Sequence, residues 1–185
     1  MHMKIVGIVG SVRKQSFNKT LANYVATRFA DKFELDVLTL ENIPLYNQDI
    51  ENEAPQEVKQ FKARVAEADA VIWFTPEYNG TMPGVLVNAI DWLSRVDKVM
   101  VGKPSLVMGA SMGALGTVKA QGHLYDVLRS PGIDSPFLAG GYQVVVGSVH
   151  TKFDEKGQLT DAATEQFLHV VTDQFVTFVQ KHQGE

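Results

Sequence analysis

The chain of 185 residues contains no cysteine. That absence excludes disulfides, a thiolate nucleophile and thiolate metal ligation, and it leaves any redox chemistry to a bound group. Charge of one sign is scarce too: 17 Lys and Arg against 21 Asp and Glu give a net charge of -4. With no basic stripe to track a phosphate backbone, neither DNA nor RNA is an expected partner. The apolar runs are strand-sized, well short of the ~20 residues of a membrane span, and the N-terminus shows no signal-peptide pattern. A cytoplasmic protein without membrane association is expected. The five histidines show no ligand-like spacing, so no metal site is expected. A Gly-x-Gly-x-x-Gly after the first strand is also missing, which disfavours a resident dinucleotide and favours a mononucleotide.

What is present is a repeating alternation. Strand-like runs at 3–10, 33–40, 69–75, 104–110 and 142–149 alternate with helical stretches near 17–30, 55–68, 83–95, 117–129 and 161–181. Length and a 45% hydrophobic content suit a single domain over residues 1–185. The second helix carries Val58, Phe61, Val65 and Ala68 at helical spacing. The last carries Ala163, Phe167, Val170, Val171, Gln174, Phe175 and Phe178, behind a Thr160-Asp161 cap. Continuous apolar strands such as 70–74 are those of a parallel sheet buried on both faces. The expected fold is therefore α/β, a three-layer sandwich with a five-stranded parallel sheet in flavodoxin-like order 2-1-3-4-5. Its ligand crevice lies beyond the carboxyl ends of strands one and three.

Three loops emerge at that edge. Ser11, Arg13, Ser16 and Asn18 sit between the first strand and the first helix, where unpaired N–H groups and the helix dipole favour an anion; a phosphate suits this loop. The third strand runs into Thr75-Pro-Glu-Tyr-Asn-Gly-Thr-Met-Pro-Gly84, stiffened by Pro76 and Pro83 and turned at Gly80. Backbone groups around Glu77, Asn79 and Gly80 suit the polar edge of a flat heterocycle, with Tyr78 packing beside it. The fourth strand runs into Gly109-Ala-Ser-Met-Gly113. This third loop also matches a Gly-x-Ser-x-Gly nucleophile elbow, with Asp134 and His150 following in hydrolase order, so a serine hydrolase using Ser111 is an alternative.

Taken together and in this order, Gly10-Ser-Val-Arg13 with Ser16 and Asn18, Pro76-Glu-Tyr-Asn-Gly80 with Pro83-Gly84, and Asn88-Ala-Ile-Asp-Trp-Leu93 resemble the NADPH-dependent FMN reductase family. Its members include quinone, chromate and azo-dye reductases. The resemblance spans nearly the whole chain and implies that Ser11, Arg13, Ser16, Phe17 and Asn18 surround the FMN phosphate. It further implies that Pro76, Glu77, Tyr78, Asn79 and Gly80 cradle the isoalloxazine, and that Ser111 and Gly113 approach the ribityl chain or ring. NADPH or NADH is then the co-substrate and a small molecule, quinone-like, azo or metal-oxyanion, the acceptor. The flavin carries the hydride chemistry in a ping-pong cycle, so no side-chain catalyst is expected. The family also implies a homodimer or homotetramer built on the third and fourth helices. Lys119 stands where the family pattern has arginine. On the third helix Ala89, Ile90 and Leu93 read as core, with Asp91 bonding a neighbouring loop. A flavodoxin-like one-electron carrier is the other alternative, since it binds the same cofactor on the same fold.

Overall fold

In the computed structural model, which describes residues 2–138 and 141–183, five parallel strands alternate with five helices. They are β1 (Met3–Val9), α1 (Phe17–Arg28), β2 (Phe33–Leu38), α2 (Gln56–Glu67), β3 (Ala70–Phe74), α3 (Gly84–Leu93), β4 (Ser105–Ala110), α4 (Val118–Leu128), β5 (Val144–Val146) and α5 (Ala162–Gln183). The sheet order is β2-β1-β3-β4-β5, with every neighbouring pair parallel. Because side chains alternate across a strand, β1 sends Ile5 and Val9 to one face and Val6 and Ile8 to the other. The first face packs on Leu21 and Val25 of α1, on Phe29 just after it, and on Leu168, Val171 and Phe175 of α5. The second packs on α2, α3 and α4 through Val65, Leu86 and Leu124. Helices thus cover both faces, and the side they cover reverses between β1 and β3, which opens a crevice at the carboxyl edge.

Three expectations need correction. The fifth strand spans Val144–Val146 rather than 142–149. It stops because a Cβ on Gly147 would lie 2.1 Å from the Ala114 carbonyl oxygen, so the backbone there passes under the loop after β4 instead of pairing. The α5 stripe is Leu168, Val171, Thr172, Phe175 and Val179, whereas Ala163, Val170 and Gln174 face solvent. Val171 and Phe175 are buried as expected and Phe167 and Phe178 pack against the same core, so only part of the expected stripe falls on the outer side of the helix. On α3 the core positions Ala89, Ile90 and Leu93 are buried as expected, but Asp91 is not the residue that holds a loop. Asn88 and Trp92, one turn apart, do so: both donate to the Pro44 carbonyl at 2.9 Å, and Asn88 Oδ1 accepts from the Tyr46 N–H at 2.7 Å. A 3-10 turn at Gln48–Glu53 follows that loop and lacked an apolar period to announce it.

Candidate functional site

The loop between β1 and α1 ends in Ser16, whose hydroxyl accepts the Lys19 N–H at 3.2 Å and caps the helix. Around that cap, the N–H groups of Ser11, Val12, Lys14, Gln15 and Phe17 find no acceptor among the described residues. A concave run of free donors at a helix N-terminus is an anion cradle. Arg13 adds charge above it, its guanidinium 4.8 Å from the centre of the Phe17 ring, which fixes the side chain without consuming its donors. Asn18 lines the same crevice and its side chain also ties the fold together. Its amide nitrogen donates to the Ala110 carbonyl at 3.0 Å and its amide oxygen accepts the Ala110 N–H at 2.9 Å. The start of α1 is thereby bolted to the end of β4.

In the second loop, Tyr78 and Thr81 exchange two main-chain hydrogen bonds of 3.1 Å across Asn79 and Gly80. Asn79 has φ 54° and Gly80 φ 73°, the left-handed pair of a type I′ turn, for which Asn-Gly is the preferred sequence. The turn uses the N–H groups of Tyr78 and Thr81, and those of Glu77, Asn79 and Gly80 have no acceptor among the described residues. These are the same three positions expected to meet a heterocycle edge. Tyr78 is half exposed beside them. The Glu77 carboxylate points away to α4, where it accepts the N–H groups of Lys119 at 2.9 Å and Ala120 at 3.1 Å.

In the third loop, Ser111 Oγ accepts the Gly113 N–H at 3.1 Å, and the Ser111 main chain is held between Val146 and Val149. Gly109, just before it, admits no side chain: a Cβ there would sit 1.9 Å from Thr117 Oγ1 and 2.5 Å from the Thr75 carbonyl oxygen.

The three loops enclose a crevice of about 300 Å³, within the range of small-molecule sites. Of the expected site residues, Ser11, Arg13, Ser16, Phe17, Asn18, Pro76, Glu77, Tyr78 and Ser111 line it. Asn79, Gly80 and Gly113 stand outside its lining. Ala110 and Met112 line it and were missed, although their adjacency to Ser111 at a strand end was the available signal. Among the described residues, no group of three or more histidine and carboxylate side chains is placed to hold a metal ion.

The hydrolase alternative fails on geometry. Asp134 hydrogen-bonds through its carbonyl to Gly102, ahead of β4 and so at the opposite edge of the sheet from Ser111. Ser111 lacks the positive φ of a strained elbow, and its hydroxyl accepts from Gly113 rather than engaging His150.

A doubly wound α/β sandwich with a donor-lined crevice at its β1/β3 switch point defines a flavodoxin-like mononucleotide-binding protein. The sequence model of the NADPH-dependent FMN reductase family matches residues 3–151. A 2-hydroxy-1,4-benzoquinone reductase from Burkholderia sp is 36% identical over 182 residues, covering 97% of this chain and 98% of that protein. A quinone reductase from Escherichia coli K12 is 34% identical, covering 97% and 96%. The solved structure of FerB, a flavoenzyme NAD(P)H:(acceptor) oxidoreductase from Paracoccus denitrificans, aligns with a TM-score of 0.83 at 33% identity, covering 97% and 98%. The chain belongs to the NADPH-dependent FMN reductase family, and it is an NAD(P)H-dependent oxidoreductase that uses FMN.

Proposed function

We propose that the protein is a quinone-type reductase that oxidises NADPH or NADH and reduces a small acceptor, quinone-like, azo or metal-oxyanion, at the crevice of β1, β3 and β4. The observation that carries this is the distribution of free donors. One set, in residues 11–17, suits a phosphate; a second, at Glu77, Asn79 and Gly80, suits a ring edge. When bound, FMN supplies the redox step, taking a hydride at N5 and passing two electrons on in a ping-pong cycle.

The chain's own residues bind and orient. Ser11, Ser16 and the adjacent N–H groups receive the phosphate, and Arg13 neutralises it. Phe17 carries the Arg13 fork, and Asn18 keeps the loop in register with β4. Pro76 stiffens the approach to the type I′ turn, whose N–H dipoles face the pyrimidine edge and favour added electron density there. Tyr78 packs beside the ring, and Ser111 and Gly113 bound the ribityl side. No side chain is needed as acid or base: among the described residues Glu77 is the one carboxylate lining the crevice, and it is engaged by α4. Both substrates use the same open face in turn.

The active form is a homodimer or homotetramer in the cytoplasm, through α3 and α4, where Val87 and Val118, with Leu115 in the loop ahead of α4, expose apolar side chains. Initial rates with NADPH and a benzoquinone varied together test the cycle. Parallel double-reciprocal lines support it, and intersecting lines contradict it.

A further inference from the structure

Helix α4 begins without a cap of its own. Thr117 stands at the N-cap position, yet its side chain makes no capping bond; its hydroxyl accepts from Gln121 Nε2 at 3.0 Å and packs against Gly109. The N–H groups of Lys119 and Ala120 would then be orphans of the first turn. Both are answered by one group from a distant loop, the Glu77 carboxylate, at 2.9 and 3.1 Å. A second tie lies on the far side of the same turn, where Thr81 Oγ1 and His123 Nδ1 of α4 are 2.8 Å apart. The segment that carries the free Glu77, Asn79 and Gly80 donors is therefore hung from α4 at both ends of the type I′ turn.

We infer that Glu77 is a positioning residue for the flavin ring: its side chain, by capping α4, sets where the donors of the 77–80 turn stand. The inference rests on the proposed reading of that turn as the ring-edge site. Residue 77 is split between two tasks. Its main-chain N–H has no acceptor among the described residues at the crevice wall, and its carboxylate is held against the positive end of a helix dipole, which offsets its negative charge beside a group that gains electrons. A simple spacer at this position would allow any small residue. The double hydrogen bond instead asks for an acceptor of glutamate length, so glutamine serves and alanine does not. Helix α4 also becomes a lever on the site, since movement of its first turn moves the donors.

The test compares FMN binding by flavin fluorescence quenching in the wild-type protein, Glu77→Ala and Glu77→Gln, with circular dichroism and melting of the flavin-free proteins alongside. Loss of a cap corresponds to about a tenfold weakening if it is transmitted to the ligand, so Glu77→Ala is expected to raise the FMN dissociation constant about tenfold. Its bound flavin band is expected to shift toward that of free FMN. Glu77→Gln keeps the acceptor and restores both the affinity and the band position. Asp161→Ala, which removes the carboxylate that accepts the Thr164 N–H at the start of α5, outside the crevice lining, lowers the melting temperature and leaves FMN binding unchanged. Should Glu77→Ala fail to fold, Thr81→Val severs the second tie and is expected to weaken binding in the same direction. The inference is overturned if wild-type protein binds FMN and Glu77→Ala, or in its place Thr81→Val, binds it equally well. A wild-type protein that takes up no FMN would instead overturn the reading of the site itself.

Discussion

Asn18 on α1 and Ala110 at the end of β4 are joined by two hydrogen bonds, 3.0 Å from amide nitrogen to carbonyl and 2.9 Å from main-chain N–H to amide oxygen. Both residues are buried. The side chain therefore acts as a short added strand edge, pairing with a residue 92 positions away and holding the first and third loops at a fixed separation. Replacing Asn18 by alanine leaves a buried donor and a buried acceptor unpaired, which costs about 2 to 4 kcal/mol. Urea denaturation of the flavin-free protein measures that loss, and FMN retention is expected to fall with it.

Arg13 and Ser16 separate affinity from stability. Ser16→Ala deletes the cap of α1 and is expected to cost about 1 kcal/mol of stability as well as flavin affinity. Arg13→Ala removes an exposed cation with no structural partner among the described residues beyond the Phe17 ring, so circular dichroism and melting stay at wild-type values. FMN affinity is expected to fall about tenfold, the scale of one charge-assisted hydrogen bond. Titrations at increasing salt give an independent reading, since the wild-type protein should lose affinity with salt more steeply than Arg13→Ala.

Gly109 tests how tightly the third loop is packed. Its Cβ position meets the Thr117 hydroxyl and the Thr75 carbonyl at 1.9 and 2.5 Å, and main-chain oxygen cannot retreat as a flexible side chain does. Gly109→Ala is expected to destabilise the protein by about 1 to 3 kcal/mol, the usual cost of overpacking. Ser111→Ala, two residues on, is expected to keep reductase activity, which steady-state assay with NADPH and a quinone measures.

Stability should weaken on the acid side through the start of α5. Asp161 is held below the ordinary aspartate range by hydrogen bonds from the Thr164 hydroxyl and N–H, with Lys152 adding to them. Glu165 is held down chiefly by its hydrogen bond from Arg28. A carboxyl whose folded value is depressed contributes stability above its unfolded value, and that contribution is lost as pH falls through the folded one. Melting temperatures are therefore expected to drop below about pH 4. In Asp161→Asn, which keeps an acceptor for the Thr164 N–H but does not titrate there, the acid slope is expected to be shallower.

The order of the strands was legible because each one is an apolar run of the right length between helical periods, and β3 at Ala70–Phe74 is buried at every position. The crevice was legible because strand order fixes where loops gather, so residues 11–18 and 76–80 were placed together before any contact was known. The use made of individual side chains was not legible. Asn18 looks like a phosphate donor in sequence and Glu77 is expected to act through its backbone, yet their side-chain partners, Ala110 and Lys119–Ala120, are 92 and about 42 residues away and are main-chain groups with no sequence signature. The outward-facing part of the stripe expected on α5, Ala163, Val170 and Gln174, has a similar cause. A helix of 22 residues has room for two apolar rows, Val170 among the outer one, and periodicity alone does not say which row meets the sheet.

The most direct test of reductase function at this crevice is the visible spectrum of purified protein loaded with FMN, desalted, and treated anaerobically with NADPH or NADH and then with a quinone. Bleaching of the flavin band by the nucleotide, followed by its recovery on adding the quinone, is the expected result. Retained flavin that neither nucleotide bleaches would contradict it and indicate an electron carrier, and a protein that retains no flavin would contradict the assignment of the site.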